Sequence, residues 1–332
     1  MERRTVLRAA AAVAAPWLVC ARAQTRARRI GLMYPWADPG GPPIRAAEYW
    51  KKAGWIEGET LLVDRRYADF RTERFADFAG ELLRNGAELL YTWGNEATVA
   101  AMRATATVPI VFNNVAFPVE SGVVDSLARP GRNATGFAHF DGVESSLKFT
   151  ELLRALAPKA KRLAVLTTEV ELRMLSPKGG EDILTKTTAV VAGLGLERTI
   201  HRVRRIEEVH GALAAAAAGH AEVVYCAGWE YVGVAGQVVD FARRQRWVSA
   251  TPMGALFDAG LLICHTVNSA EFGRSFERVR EMTDRILRGA RPADIPVELP
   301  RSIEIAFNLR EARALGLTVP QSLLLRADRV VE

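Results

Sequence analysis

The sequence is poor in the residues and motifs that most enzyme active sites use. It has three cysteines and five histidines in 332 residues, and the histidines lack the spacing of metal ligands. It contains no Gly-x-Ser-x-Gly turn, no His-Glu-x-x-His helix and no phosphate-binding Gly-x-x-x-x-Gly-Lys loop. Gly193 and Gly195 lack the third glycine of a dinucleotide-binding turn. We therefore predict no catalytic residue, no metal site and no other cofactor.

Long hydrophobic runs are missing as well. The apolar run near the amino terminus, Ala9 to Val19, is shorter than the roughly 20 residues of a membrane-spanning helix. Arg3 and Arg4 precede this run and small residues up to Ala23 follow it, which is the order of an export signal. We predict that residues 1–23 form an export signal that is cleaved after Ala23, by either the general secretory or the twin-arginine route.

The three cysteines leave two questions open. Cys20 follows the apolar run and would carry a lipid anchor in a lipoprotein, although Val19 is a poor match for the small residue expected before such a cysteine. Lipid anchoring at Cys20 is therefore the alternative to cleavage after Ala23. Cys226 and Cys264 lie in apolar, strand-like runs, where they are either buried free thiols or a disulfide formed in an oxidising compartment.

The net positive charge of the chain is small once the predicted export signal is removed. The full chain carries a formal net charge of +6, and residues 1–23 hold four arginines and one glutamate, so the remainder carries 6 − 3 = +3. The other arginines are spread along the chain and are not gathered on a basic helix. This distribution does not predict nucleic-acid binding.

The rest of the chain alternates between short apolar runs and stretches with helical spacing, which is the pattern of βαβ units and a parallel sheet. The first predicted strands are Ile30–Tyr34, Leu61–Tyr67, Glu88–Trp93 and Pro109–Val115. The helices predicted among them are Pro43–Ala53, Thr72–Asn85 and Glu96–Ala104. The same order restarts near Pro158 and reaches a strand at Leu261–Val267.

Two similar nonapeptides mark this restart. "ELLYTWGNE" spans Glu88–Glu96 and "EVVYCAGWE" spans Glu222–Glu230, at an offset of 134 residues. We predict an α/β fold with two similar, doubly wound parallel-sheet lobes. Lobe I comprises residues 28–157 plus about 268–291, and lobe II comprises 158–267 plus about 292–332. The extended segment "RGARPADIPVELP" predicts a chain that crosses back between the lobes, and hence a hinge of several strands.

Ligands of open parallel sheets collect beyond the carboxyl ends of the strands, and aromatic residues are frequent at these positions here. The candidate ligand-binding residues of lobe I are Tyr34, Trp36, Trp93, Gly94, Asn95, Glu96, Asn114, Phe117 and His139. Those of lobe II are Thr168, Trp229, Glu230, Tyr231 and Met253.

The residue types leave more than one role open at several of these positions. Asn95 either caps its own helix or contacts a ligand. Glu96 either occupies the positive end of that helix or pairs with a ligand ammonium group. Each aromatic ring either packs in the core or stacks on an apolar or aromatic ligand.

Three segments resemble the ABC-transporter substrate-binding proteins of the tryptophan/tyrosine-type family. They are "GWIEGETLLVDRRYADFRTERFADFAGELLR", "ATVPIVFNNVAFPVESGVVDSLARPGRNATGF" and "ILRGARPADIPVELPRSIEIAFNLREARALGLTVPQSLLLRADRVVE". The resemblance implies the type I periplasmic binding protein fold and a monomeric periplasmic receptor that delivers a small solute to an ABC permease of the inner membrane, without a cofactor.

This sequence differs from the family pattern at three expected contact sites, namely Trp93–Glu96, Phe117–Val119 and Gly228–Tyr231. We therefore expect a ligand with an apolar or aromatic body, amino acids among the candidates. The alternative function is a periplasmic ligand-sensing module for a membrane signalling partner. An enzyme is disfavoured by the missing motifs, and a gene regulator by the predicted export signal.

Overall fold

The computed structural model describes residues 26–39, 50–140, 144–169, 171–172 and 181–332. The predicted export signal and most of the predicted helix 43–53 lie outside these residues, although residues 50–52 are helical. No described helix combines the length and the apolar composition of a membrane-spanning segment. The described chain forms two α/β lobes, as the sequence predicts.

Lobe I is built on a five-stranded parallel sheet with the order β2-β1-β3-β4-β5. Its strands are β1 (Arg28–Tyr34), β2 (Leu61–Tyr67), β3 (Leu89–Trp93), β4 (Ile110–Ala116) and β5 (Ala134–Phe140). Helices α1 (Phe75–Arg84) and α2 (Gly94–Ala104) pack on one face, after a 3-10 turn at Thr72–Arg74. All five residues of β3 are buried, because helices cover both faces of a parallel sheet.

Lobe II is built on a seven-stranded sheet with the order β12-β11-β10-β9-β8-β6-β7. Its strands are β6 (Arg162–Thr168), β7 (Glu197–Val203), β8 (Val223–Cys226), β9 (Val248–Thr251), β10 (Ile263–Thr266), β11 (Glu304–Asn308) and β12 (Arg329–Val331). The helices that follow α2 are α3 (Glu144–Leu156), α4 (Glu181–Gly193), α5 (Val209–Ala218), α6 (Ala235–Gln245), α7 (Gly254–Asp258), α8 (Ser269–Leu287), α9 (Leu309–Leu315) and α10 (Gln321–Leu324). Short 3-10 helices lie at Ile206–Glu208, Trp229–Val234 and Pro292–Asp294.

The predicted duplication is present in the sheet order. The order β2-β1-β3-β4-β5 of lobe I matches β7-β6-β8-β9-β10 of lobe II, strand for strand. The two nonapeptides form β3 and β8 with the turns that follow them. Gly94 and Gly228 take φ values of +79° and +137° in these turns, where a side chain would be strained. The glycine is therefore repeated because a backbone turn with positive φ follows the strand in each lobe.

The second sheet is larger than the sequence predicts, because the strand near 261–267 is not its last. β11 pairs antiparallel with β10, and β12 pairs parallel with β11. β12 has only three residues, all at least partly exposed, which is shorter than the run by which a strand is recognised in a sequence. β11 contains the apolar run Ile305–Phe307 but lies outside the repeated strand order of the two lobes.

Two segments pack against the lobe opposite to the one predicted for them. Leu152, Leu153 and Leu156 of α3 join the core of lobe II, whereas the sequence places residues up to 157 in lobe I. The carbonyl of Ile295 accepts a 2.7 Å hydrogen bond from Thr135 Oγ1 in lobe I, whereas the sequence places residues after 292 in lobe II. We propose that lobe I comprises residues 26–140 and 269–300, and that lobe II comprises 144–268 and 301–332.

The chain crosses between the lobes three times, which agrees with the predicted multi-strand hinge. The first crossing leaves β5 at its carboxyl end, and the second joins Thr266, at the carboxyl end of β10, to α8. The third runs from Glu298, beside Phe137 in β5, to Glu304, which lies opposite Thr266. The first crossing leaves the carboxyl end of β5 through residues 141–143, which lie outside the described residues. The second and third crossings both lie at the carboxyl end of β10, so the carboxyl ends of strands from both sheets lie at the hinge.

A hydrogen-bonded ion pair fixes the third crossing to α8. Glu271, capped through its N–H by Asn268 Oδ1, accepts from Arg274 Nη2 at 2.7 Å and from the N–H of Arg301 at 2.9 Å. Arg274 also donates to the carbonyl of Leu299 at 2.9 Å. The hydrogen bond from Arg274 lowers the pKa of the Glu271 carboxyl. The start of α8 and the 299–301 segment are thus joined directly by these hydrogen bonds.

Replacing Gly136 with alanine tests how closely β4 and β5 approach one another. An added Cβ would overlap the carbonyl oxygen of Phe112, so we expect Gly136→Ala to lower the free energy of unfolding by about 1–3 kcal/mol or more. Gly211→Ala is the matched control, because Gly211 lies in α5 with open space around it and alanine should stabilise the helix by roughly 0.4–1 kcal/mol. Urea unfolding of both variants measures the difference, and equal effects would contradict this packing.

Candidate functional site

Five aromatic side chains form a continuous cluster at the carboxyl edge of lobe I, and we call them the aromatic cluster: Tyr34, Trp36, Trp93, Phe272 and Phe276. Trp36 stacks on Tyr34 with ring centroids 4.9 Å apart and meets Trp93 edge-on at 5.1 Å. Trp93 stacks on Phe276 at 5.3 Å and meets Phe272 edge-on at 5.7 Å. These separations lie within the range of favourable ring pairs.

The rings of the aromatic cluster differ in how much surface they present. Trp93 and Tyr34 are buried, whereas Phe272 is 39% exposed and Trp36 is partly exposed. Burial also raises the pKa of the Tyr34 hydroxyl above its ordinary range, so this ring stays neutral. Trp93 and Tyr34 therefore support the cluster, and Phe272 and Trp36 are its rings with exposed surface.

Phe272 and Phe276 were not among the residues predicted from sequence. They lie one helical turn apart in α8, far along the chain from Trp93, and α8 returns to lobe I through the second crossing. The sequence signal for them is an aromatic pair at i, i+4 in the helix that follows β10. Neither residue directly follows a strand, so the rule that places ligand contacts at strand ends does not include them.

A strained turn holds the loop that carries Trp36. Asp69 and Phe70 both adopt positive φ, at +54° and +57°, which is uncommon for residues other than glycine. The N–H of Asp69 donates to the Trp36 carbonyl at 3.2 Å, and the N–H of Phe70 donates to the Pro35 carbonyl at 2.6 Å. The turn after β2 thus fixes the position of the Trp36 backbone.

Asn95 has a different role from either of those predicted for it. Its side chain is fully buried and forms two hydrogen bonds with Ala116, both at 2.8 Å. Asn95 Nδ2 donates to the Ala116 carbonyl, and the N–H of Ala116 donates to Asn95 Oδ1. It does not cap α2, whose N-cap position is Trp93. Asn95 instead ties the start of α2 to the carboxyl end of β4, while Glu96 lies half-buried in the first turn of the same helix.

The carboxyl end of β4 carries backbone strain next to this tie. Asn114 takes φ of +59° at a β-bulge between Asn113 and Val115, a conformation that asparagine tolerates well. Phe117 takes φ of +51°. This left-handed conformation is unfavourable for a bulky residue, and the following Pro118 restricts the backbone of Phe117 further. Asn114 is partly exposed and Phe117 is buried, so Asn114 is the accessible one of these two predicted residues.

The predicted residues of lobe II are mostly internal. Tyr231 and Met253 belong to the buried core of lobe II, because the 3-10 helix Trp229–Val234 directs Tyr231 inward. Thr168 is buried, and its Oγ1 accepts from the N–H of Glu171 at 3.0 Å. The side chains of Trp229 and Glu230 lie outside the described residues. The sequence analysis predicts Tyr231 and Met253 as ligand contacts, but in this structure both side chains are buried in the core of lobe II.

His139 lies apart from the aromatic cluster, in a cavity of about 290 Å³ at the hinge that it shares with His265. Burial lowers the pKa of each imidazole to about 4, and for His265 the charge of Lys148 adds to this effect. Both rings are therefore neutral at neutral pH.

The described residues hold no group of three or more His, Cys, Asp or Glu side chains that converges as metal ligands would. Cys226 and Cys264 are buried free thiols, and burial raises the pKa of each to about 12. A thiol that remains protonated in this way is unreactive at neutral pH.

Comparison with known proteins gives consistent matches along most of the chain. A family model described as "ABC transporter substrate binding protein" matches residues 47–331. A curated relative, the "Tyrosine-binding protein" of Clostridioides difficile strain R20291, is 25% identical over 268 residues, which cover 80% of this chain and 73% of the relative.

Solved structures share the fold. A conserved domain protein from Vibrio cholerae superposes with a TM-score of 0.74 at 19% identity, covering 92% of this chain and all of that one. A Streptococcus pneumoniae domain in complex with L-Trp gives a TM-score of 0.72 at 19% identity, with the same coverage. The ligand-free, open structure of a Clostridium difficile substrate-binding protein gives 0.61 at 23% identity, covering 92% of this chain and 99% of that one.

The burial of His265 predicts a loss of stability in mild acid. The pKa of His265 is lowered from 6.5 to about 4 in the folded protein, so the unfolded chain takes up the proton first as the pH falls. Stability is fully present above pH 6.5 and declines toward pH 4, by up to about 3 kcal/mol for this group. We expect His265→Asn to make the free energy of unfolding less dependent on pH between these limits.

Urea unfolding at a series of pH values measures this effect. His220→Asn is the control, because His220 is exposed and adopts a positive φ that asparagine accepts. If the free energy of unfolding falls between pH 6.5 and pH 4 as steeply in His265→Asn as in His220→Asn and the parent protein, the buried imidazole is not the source of the acid sensitivity.

Proposed function

The chain belongs to the ABC transporter substrate-binding protein family, and from this premise we propose that it captures a small organic ligand between its lobes and delivers it to an ABC permease. Members of this family are solute-binding proteins rather than enzymes. The ligand that we propose has an apolar or aromatic body. The aromatic cluster at the carboxyl edge of lobe I is the single observation that supports this proposal most strongly.

The geometry of the aromatic cluster suits a flat, apolar ligand. Phe272 and Trp36 present ring surface, and the buried Trp93 holds both rings from behind. Ring stacking of this kind is worth about 0.5–1.5 kcal/mol per aromatic pair beyond the area that it buries. Phe272 lies six positions after Thr266 in the chain, so the carboxyl end of β10 lies within about 20 Å of the cluster. We propose that lobe II closes over a small molecule held there.

The relatives suggest which ligands to test first. One is named for tyrosine binding and another was solved with L-Trp, and both ligands have an aromatic ring that matches the proposed site. We propose aromatic amino acids and related aromatic acids as the first candidates. We further propose that the protein acts as a monomer in the periplasm after cleavage at Ala23, in keeping with the amino-terminal sequence.

Isothermal titration calorimetry with L-tryptophan, L-tyrosine, L-phenylalanine, L-leucine and indole-3-acetate tests the proposed function. We expect saturable binding of at least one aromatic member, with a stabilisation of about 2.7 kcal/mol when its concentration is 100 times the dissociation constant. Thermal unfolding in the same solutions gives the second readout. Absence of binding by every aromatic solute in the set would contradict the proposal.

Phe272→Ala tests where the ligand binds. The ring is partly exposed, so we expect a loss of stability of about 1 kcal/mol or less but ligand binding that is about 10- to 100-fold weaker. Trp93→Ala is less informative, because removing a buried ring costs about 3–5 kcal/mol of stability. Leu325→Ala is the control, because Leu325 is an exposed apolar residue of lobe II outside the cluster. Unchanged affinity in Phe272→Ala would place the ligand elsewhere.

A further inference from the structure

The cavity at the hinge is chemically unlike the aromatic cluster. It lies where the third crossing passes between the lobes, and residues of β5, α3, β10 and β11 line it together with the 299–303 segment. None of the five residues of the aromatic cluster lines it. At about 290 Å³ it is at the lower end of the size range of small-molecule sites.

The charged residues that line the cavity are all positive. They are Lys148 from α3, Arg301 from the third crossing and Arg326 from the segment before β12. None of the three forms an ion pair within the described part of the chain, and no Asp or Glu is among the described residues that line the cavity. Arg301 also interacts electrostatically with Glu271, which is shared with Arg274, so the described lining keeps a net positive charge that an anion would neutralise.

Three carboxylates of the hinge and the adjacent sheet, Glu271, Asp328 and Glu304, already have partners. Glu271 accepts from Arg274 and from the N–H of Arg301. Asp328 accepts from the N–H of Ile305 at 2.8 Å, and Glu304 pairs with Arg329 at 3.2 Å. These three acids bind groups of the hinge and the sheet, and none of them lines the cavity.

Neutral donors and apolar walls complete the lining. His139 and His265 are uncharged at neutral pH and retain an imidazole N–H, and Ser302 adds a hydroxyl. Leu152, Leu299, Pro300, Ile303 and Ile305 supply the apolar part of the wall. A bare inorganic ion would leave this apolar surface uncovered, whereas a short hydrocarbon chain would bury it.

We propose that the hinge cavity is a second binding site, separate from the aromatic cluster, for a small organic carboxylate with a short apolar chain. The carboxylate lies among Lys148, Arg301 and Arg326, and the chain lies against the apolar wall. This site does not depend on the proposed transport function, because it shares no residue with the aromatic cluster.

Calorimetric titration of the full-length protein with sodium butyrate tests the second site, with sodium chloride holding the ionic strength constant. We expect saturable binding at about 1–10 mM, in keeping with the small size of the probe. The double substitution Lys148→Ala/Arg326→Ala should weaken this binding about five- to tenfold. Both side chains belong to exposed residues, and Arg301→Gln is a third variant with the same expected direction.

Matched controls separate this site from general charge effects and from the aromatic cluster. Lys159→Ala/Lys161→Ala removes the same charge from exposed positions of lobe II and should leave butyrate binding unchanged. Phe272→Ala should also leave it unchanged, even where it weakens the binding of an aromatic ligand. The proposal is overturned by a lack of saturable butyrate binding, by equal loss in the two double variants, by loss in Phe272→Ala, or by sulfate binding as tightly as butyrate.

Discussion

Three chain crossings at the carboxyl ends of strands constrain the rest of this structure. The second crossing runs from the carboxyl end of β10 to the start of α8, and the third runs from beside Phe137 in β5 to Glu304 opposite Thr266, so both hold the carboxyl ends of β5 and β10 at the hinge. Three connections also restrict the relative motion of the lobes to bending about the hinge. The ion pair of Glu271 and Arg274, together with the hydrogen bond from the N–H of Arg301 to Glu271, holds the third crossing against the start of α8.

The aromatic cluster depends on the same constraint. The second crossing delivers Phe272 and Phe276 to Trp93, so the cluster joins the end of β3 to a helix that begins at the hinge. Around it the backbone is held in uncommon conformations, at Asp69 and Phe70 beside the Trp36 loop and at Asn114 and Phe117 after β4. Strain of this kind persists only where neighbouring contacts enforce it, and here the hydrogen bonds of Asn95 to Ala116 supply part of that enforcement.

Much of the fold could be predicted from sequence because the central strands are continuous apolar runs between turn residues, as in Leu89–Trp93. The repeated glycine was also informative, since Gly94 and Gly228 both require a positive φ. Other features depend on tertiary packing that a local pattern does not encode. The apolar face of α3 is the same whichever core it joins, and the short strand β12 carries little hydrophobic signal. The inward direction of Tyr231 and the return of Phe272 to lobe I are likewise set by neighbours distant in sequence.

The central claim is that the two lobes close on a small molecule held between them. The most direct measurement is the distance between nitroxide labels at Phe70→Cys in lobe I and Val232→Cys in lobe II, read by pulsed electron spin resonance. Both positions are exposed, the chain to be labelled begins at Gln24 and therefore lacks Cys20, and the buried thiols of Cys226 and Cys264 will not take up the label at neutral pH. A shorter and narrower distance distribution on addition of an aromatic amino acid that calorimetry shows to bind is the predicted result. An unchanged distribution with that ligand bound would contradict the account.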